Sequence, residues 1–96
     1  MINAVVLVQC EIDEIPEAAQ AIAELEGITE VYSVAGEFDL VAVVRVHRHE
    51  DLATVIPQGI ARVEGVERTE TLIAFQVYSK HDLDRLFAIG FEGDGS

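Results

Sequence analysis

Two stretches of this 96-residue chain repeat each other at a fixed offset of 38 positions, which constrains the fold more than any other feature. Ala4-Val5-Val6-Leu7-Val8 returns as Ala42-Val43-Val44-Arg45-Val46. Ile22-Ala23-Glu24-Leu25-Glu26-Gly27-Ile28 returns as Ile60-Ala61-Arg62-Val63-Glu64-Gly65-Val66. Asp13 falls on Asp51 and Gln20 on Gln58 in the same register. One gapless offset that matches strand-like and helix-like stretches together implies two copies of one β-α-β unit.

Each copy parses alike. Residues 2–10 are rich in Val and Ile, which suit a pleated, packed surface. After Asp13, a good N-cap type, Ile15, Ala18, Ala19, Ile22 and Leu25 share one helical face. Gly27 stops that helix, and residues 28–35 form a second strand. In the other copy residues 38–47 are a strand, and Leu52, Val55, Ile56, Ile60 and Val63 make the helical stripe. Gly65 ends it, and residues 66–78 form a long last strand. Ala35-Gly36-Glu37-Phe38 leaves room only for a tight hairpin turn, with Gly36 free to take positive φ. The expected fold is α+β, ferredoxin-like β-α-β-β-α-β with a four-stranded antiparallel sheet. Pro57 breaks the pattern: either the second helix kinks there, or its regular part begins near Thr54 and Pro57 sits in the first turn. Residues 1–79 read as the domain. Residues 80–96 read as a short helix carrying Leu83, Leu86 and Phe87, opened at Ser79-Lys80-His81-Asp82, followed by a loose tail.

The strands are apolar on both faces, with Ala4, Val6 and Val8 opposed to Val5 and Leu7, and Ala42, Val44 and Val46 opposed to Val41 and Val43. Two helices cover one face of a four-stranded sheet, so the other needs a partner. A second copy, sheet on sheet in a two-fold dimer that closes an α+β barrel, is expected. The 50% apolar composition excludes intrinsic disorder. No apolar run approaches the roughly 18 residues of a membrane span. Met1-Ile2-Asn3-Ala4 opens without a basic segment, so no secretory signal and a cytoplasmic location are expected. Eighteen acids against six bases leave a net charge of −12, and no Lys or Arg precedes Arg45. Phosphate backbones and anionic membranes are recognised mainly by Lys and Arg, so direct binding to either is not expected.

Few residues invite chemistry. His47 and His49 form an H-x-H pair with no visible third ligand, and His81 is remote, so they read as solvated histidines and no metal is expected. Cys10 closes a strand with no cation nearby and reads as a buried structural thiol. No phosphate loop, nucleophile elbow or zinc signature occurs, so no cofactor is expected. One constellation stands apart: Tyr32-Ser33-Val34-Ala35-Gly36-Glu37-Phe38-Asp39-Leu40, then Glu67-Arg68-Thr69-Glu70-Thr71-Leu72-Ile73. The hairpin offers bare backbone at Gly36 beside the carboxylates of Glu37 and Asp39. The strand offers the hydroxyls of Thr69 and Thr71 on one face. A free amino acid needs this mixture, an anion for its ammonium and N–H or O–H donors for its carboxylate. On the residues alone, a decorated turn beside ordinary strand threonines explains the pattern as well.

The run from Glu26 to Asp39, an E-G-I-x-x-V-Y-x-V-x-G-x-F-D hairpin, and the run from Gly65 to Thr71, a G-V-x-x-T-x-T strand, together resemble the effector-binding (RAM) domain of the Lrp/AsnC feast/famine transcriptional regulators. The resemblance covers roughly residues 2–78. It implies the same β-α-β-β-α-β fold, pairing through the sheets, assembly of dimers into rings, commonly octamers, and amino-acid effectors bound in clefts between dimers. Placed on this chain, the implied ligand-binding residues are Tyr32, Val34, Gly36, Glu37, Phe38, Asp39, Thr69, Glu70 and Thr71. Phe38 stands where Tyr is commoner, which removes one hydroxyl. The helix-turn-helix of full-length members is missing, so the resemblance is to stand-alone effector domains. The expected function is therefore an amino-acid sensor and assembly module that acts on transcription indirectly, by co-assembling with full-length relatives. Two alternatives stand beside it. One is a small dimeric α+β-barrel enzyme of monooxygenase or isomerase type, which needs an enclosed polar pocket between helices and sheet. The other is a purely structural oligomerisation partner.

Overall fold

A run rich in Val and Ile makes Ile2–Cys10 a strand, β1, on which the rest of the sheet is laid. The structure is a computed structural model that describes residues 1–80. After a 3₁₀ turn over Ile12–Glu14 come α1 (Ile15–Ala23), β2 (Ile28–Ser33), β3 (Leu40–Val46), α2 (Asp51–Val55), a second 3₁₀ turn (Ile60–Arg62) and β4 (Val66–Ile73). The sheet runs β2-β3-β1-β4, and each neighbouring pair is antiparallel. This is the expected β-α-β-β-α-β order.

One face of the sheet carries the core. Ala4, Val6, Val8 and Cys10 of β1 and Leu40, Ala42, Val44 and Val46 of β3 are buried against Ala18 and Ile22 of α1, Leu52 and Val55 of α2, and Ile60. The buried set is wholly apolar. Burying a side chain such as Ile22 or Leu40 contributes about 1.5–3 kcal/mol. On the other face Val5, Leu7, Val41 and Val43 are only half-buried and Leu72 is exposed, since no helix among the described residues covers them.

Gly27 and Gly65, equivalent in the repeat, end the two crossovers at φ +97° and +93°, a region other residues rarely adopt. The repeat extends to a feature the alternation of side chains does not reveal. The register against β3 skips Thr29, between Ile28↔Val44 and Glu30↔Val43. The register against β1 skips Glu67, between Cys10↔Val66 and Gln9↔Arg68. Thr29 and Glu67 are 38 positions apart. Each bulge puts Ile28 with Val31, and Val66 with Thr69, on the helix-covered side.

Several boundaries differ from expectation. Asp13 lies in the first 3₁₀ turn; the N-cap of α1 is Glu14, without a side-chain cap bond, and Pro16 occupies the first turn, where its missing N–H costs nothing. Neither reading of Pro57 holds. Helix α2 stops at Val55, with Ile56 as C-cap, and Pro57 lies beyond it. Gly59 then passes so close to Val55 that a Cβ there would stand 2.4 Å from the Val55 carbonyl oxygen. β2 ends at Ser33 and β3 begins at Leu40, so the link is six residues, where the expected strand ends at 35 and 38 leave two. β4 ends at Ile73 rather than 78: Ile73 faces Ala4, and beyond it Ala74 N–H donates to the Asn3 carbonyl at 2.9 Å. Beyond it Phe75 and Tyr78 are exposed. The expected helix through Leu83, Leu86 and Phe87 lies outside the described residues. Among the described residues no helix is long and apolar enough to cross a membrane.

Candidate functional site

The link between β2 and β3 is closed at its base by Val34 N–H donating to the Asp39 carbonyl at 3.0 Å. Gly36 at its tip has φ +131°. Asp39 N–H donates to the Val8 carbonyl at 2.9 Å, which ties the hairpin to the central strand. The Asp39 carboxylate does more: its Oδ2 accepts from Cys10 N–H at 2.8 Å. Cys10 sits where the β1–β4 register shifts, and the Asp39 side chain supplies the acceptor for its N–H there. The Cys10 thiol is buried, and burial followed by the charges of Asp39 and Glu67 pushes its pKa up, so it stays protonated.

The hairpin also reaches across β1 to β4. Arg68 Nη2 donates to Glu37 Oε1 at 3.1 Å, and its guanidinium carbon lies 4.9 Å from the centre of the Phe38 ring. At that range the cation interacts with the ring face. Glu37, Phe38, Asp39 and Arg68 thus form one group at the start of β4, next to Thr69. Tyr32 OH donates to Glu30 Oε2 at 2.7 Å, and this bond, with the charge of Glu30, raises the phenol's pKa.

The expected site residues divide between faces. One row across the open face is Tyr32, Val41, Leu7 and Glu70. The next row, on the helix side, is Ser33, Leu40, Val8 and Thr69, with Thr71 beside Val6. Thr69 and Thr71 therefore share a face, as strand spacing predicts, but not with Tyr32 and Glu70. Tyr32 and Glu70 lie on the two edge strands, three strand spacings or about 14 Å apart, farther than one amino acid spans. Val34 and Gly36 are exposed on the link. Sequence reasoning assigned Arg68 no role, although it is the one base between Arg62 and Lys80 in a strongly acidic chain.

A cleft of about 410 Å³ lies at the opposite end of the sheet, lined by Glu26, Gly27, Arg45, Val46, His47, Asp51, Thr54 and Val55. Asp51, Thr54 and Val55 of α2 form one wall of it, and Arg45, Val46 and His47 at the end of β3 another. Its guanidinium is already engaged, Arg45 Nε donating to Asn3 Oδ1 at 2.9 Å. The hairpin end has the stronger chemistry. No cluster of three potential metal ligands occurs among the described residues.

Comparison with known proteins places residues 3–83 in a match to the family model described as the Lrp/AsnC ligand binding domain. The chain is 36% identical over 59 residues to an uncharacterized HTH-type transcriptional regulator of Pyrococcus horikoshii, PH1916, covering 62% of this chain and 39% of that protein. It spans about half, or less, of the length of the curated relatives it matches. The crystal structure of TTHA0845 from Thermus thermophilus is 50% identical, with TM-score 0.79 over 83% of this chain and 100% of that one. The feast or famine regulatory protein Rv3291c from M. tuberculosis, solved in complex with L-methionine, is 27% identical, with TM-score 0.69 over 83% of this chain and 54% of that one.

Proposed function

The chain belongs to the Lrp/AsnC ligand-binding-domain family, and from that premise we propose that it binds a free amino acid at the hairpin end of the sheet, in a cleft between copies. It is an effector-binding domain related to transcriptional regulators. In this reading it acts on transcription indirectly, by assembling with DNA-binding relatives, since its own charge of −12 disfavours DNA.

The observation that carries the reading is the convergence of Glu37, Asp39 and Arg68 beside the exposed link. Asp39 has one carboxylate oxygen fixed by Cys10 N–H, so its charge is held in place to meet an ammonium. The roughly 14 Å between Tyr32 and Glu70 fits a site that takes them from different chains. The half-open apolar face of Val5, Leu7, Val41, Val43 and Leu72 supplies the reason for copies to pair as a dimeric barrel. L-methionine in the related structure makes a small amino acid the ligand class to test. The enzyme alternative requires polar groups between sheet and helices, and that layer is filled by Val, Ile, Leu and Ala.

Thermal unfolding with each of the twenty protein amino acids, L-methionine first, tests this. A ligand at 100 times its Kd adds about 2.7 kcal/mol, a shift of several degrees for a domain of this size. In a binder, Asp39→Asn keeps an acceptor for Cys10 N–H but loses the charge, so affinity falls roughly ten- to a hundredfold while the fold survives. No shift with any amino acid would leave the oligomerisation role instead.

A further inference from the structure

The Arg68–Glu37 pair carries an inference that deepens, and rests on, the reading just proposed. We propose that Arg68 is the carboxylate receptor of the site, held by Glu37 in the effector-free chain and handed to the effector's α-carboxylate on binding. Three observations lead there. Arg68 is the one cation among the described residues of the hairpin and β4, where Glu37, Asp39, Glu67 and Glu70 supply negative charge. An anion entering that field is repelled everywhere except at the guanidinium. Both partners of the pair are exposed, with side chains 54% and 76% accessible, and such pairs hold weakly. Glu37 is therefore easily displaced, and Phe38 keeps the guanidinium in place during the exchange.

The same electrostatics set the ligand class. The site's carboxylates welcome an ammonium, and Arg68 accommodates one carboxylate. A second carboxylate has no cation to meet, so neutral and basic amino acids are accepted while aspartate and glutamate are rejected. Displacing Glu37 also breaks the ion pair between the link and β4, which couples occupancy to the position of the Glu37 end of the exposed link.

The test titrates each of the twenty protein amino acids into the wild-type chain and into Arg68→Gln, Arg68→Lys and Glu37→Gln, with circular dichroism to confirm the fold. Arg68→Gln should weaken binding roughly ten- to a hundredfold, and Arg68→Lys should restore part of it. Glu37→Gln should tighten binding by roughly two- to fivefold, because the guanidinium no longer has to be released. A purely structural clasp predicts the opposite sign for Glu37→Gln, so equal losses in Glu37→Gln and Arg68→Gln would overturn the proposal. Wild-type affinity in Arg68→Gln, or aspartate and glutamate binding as tightly as neutral amino acids, would overturn it as well. If no amino acid binds the wild-type chain, the underlying reading fails, and this one with it.

Discussion

The two β-α-β copies share a pattern but not a crossover. In the first, α1 runs unbroken over Ile15–Ala23. In the second, α2 lasts only from Asp51 to Val55, and the chain reaches Ile60 through turns and a 3₁₀ segment. The offset of 38 sets Pro57 opposite Ala19 and Gly59 opposite Ala21. Proline removes a backbone donor and clashes with the preceding turn, at a cost of about 3 kcal/mol inside a helix. Yet Ile22 and Ile60, equivalent in the repeat, are both fully buried in the same core. The difference teaches that the core anchor is what the two copies preserve, and that the helix is one of two routes to it.

The strands diverge in a related way. Tyr32 faces Val41, whose counterpart in the first copy is Asn3, yet Glu70, the counterpart of Tyr32, faces Leu7. β4 has slipped four residues along β1 relative to β2 along β3. An even slip keeps every side chain on its face. The inner face survives the slip unchanged.

The largest expected effect tests the shared anchor. Ile22→Ala and Ile60→Ala should each cost about 2–5 kcal/mol in urea unfolding. Ile22→Ala should cost more, because a regular helix closes on the resulting cavity less readily than a 3₁₀ turn beside a break. Equal losses would show that the irregular route packs as rigidly as the helix.

The link between the copies belongs to neither, and Asp39 sharpens its role. Asp39→Ala removes the acceptor of Cys10 N–H and should cost about 1–3 kcal/mol, whereas Asp39→Asn should lose much less. Loss of the Asp39 charge should also lower the raised Cys10 pKa and speed its alkylation. A thiol whose pKa is raised by folding contributes stability below the ordinary thiol pKa and loses it as pH climbs through the raised value. The alkaline loss should therefore be smaller in Asp39→Ala, measured as unfolding free energy against pH.

The smallest effect concerns the break itself. Pro57 is exposed, and Pro57→Ala should cost about 0.4–1 kcal/mol through the freer unfolded chain. Ellipticity should rise little, because the near approach of Gly59 to the Val55 carbonyl persists. A clear gain in helix signal would mean Pro57 alone shortens α2.

Much of this was legible in residue order, for local reasons. Strand β1 is read from its run of Val and neighbouring apolar residues, and Gly27, Gly36 and Gly65 mark backbone that other residues strain to adopt. The 38-residue offset announces two crossovers. The bulge at Thr29 shows in residue order only as the three-residue spacing of Ile28 and Val31, and that at Glu67 not even so, because a bulge is a relation between two strands. The last strand illustrates the same limit. Phe75, Val77 and Tyr78 have strand propensity, but only Met1 and Ile2 lie beyond the Asn3–Ala74 bond, too few to carry the ladder to Tyr78.

The candidate site divides along that line. Residue order alone carries the element order, the apolar two-faced strands and the glycine-tipped link with its carboxylates, because each depends on local conformation or on periodicity along one chain. Packing in three dimensions settled that Asp39 holds Cys10, that Arg68 clasps Glu37 under Phe38, and that Thr69 and Thr71 turn away from Tyr32. Those are meetings between residues about 30 or more positions apart, and strand register, bulges and chain length settle them together.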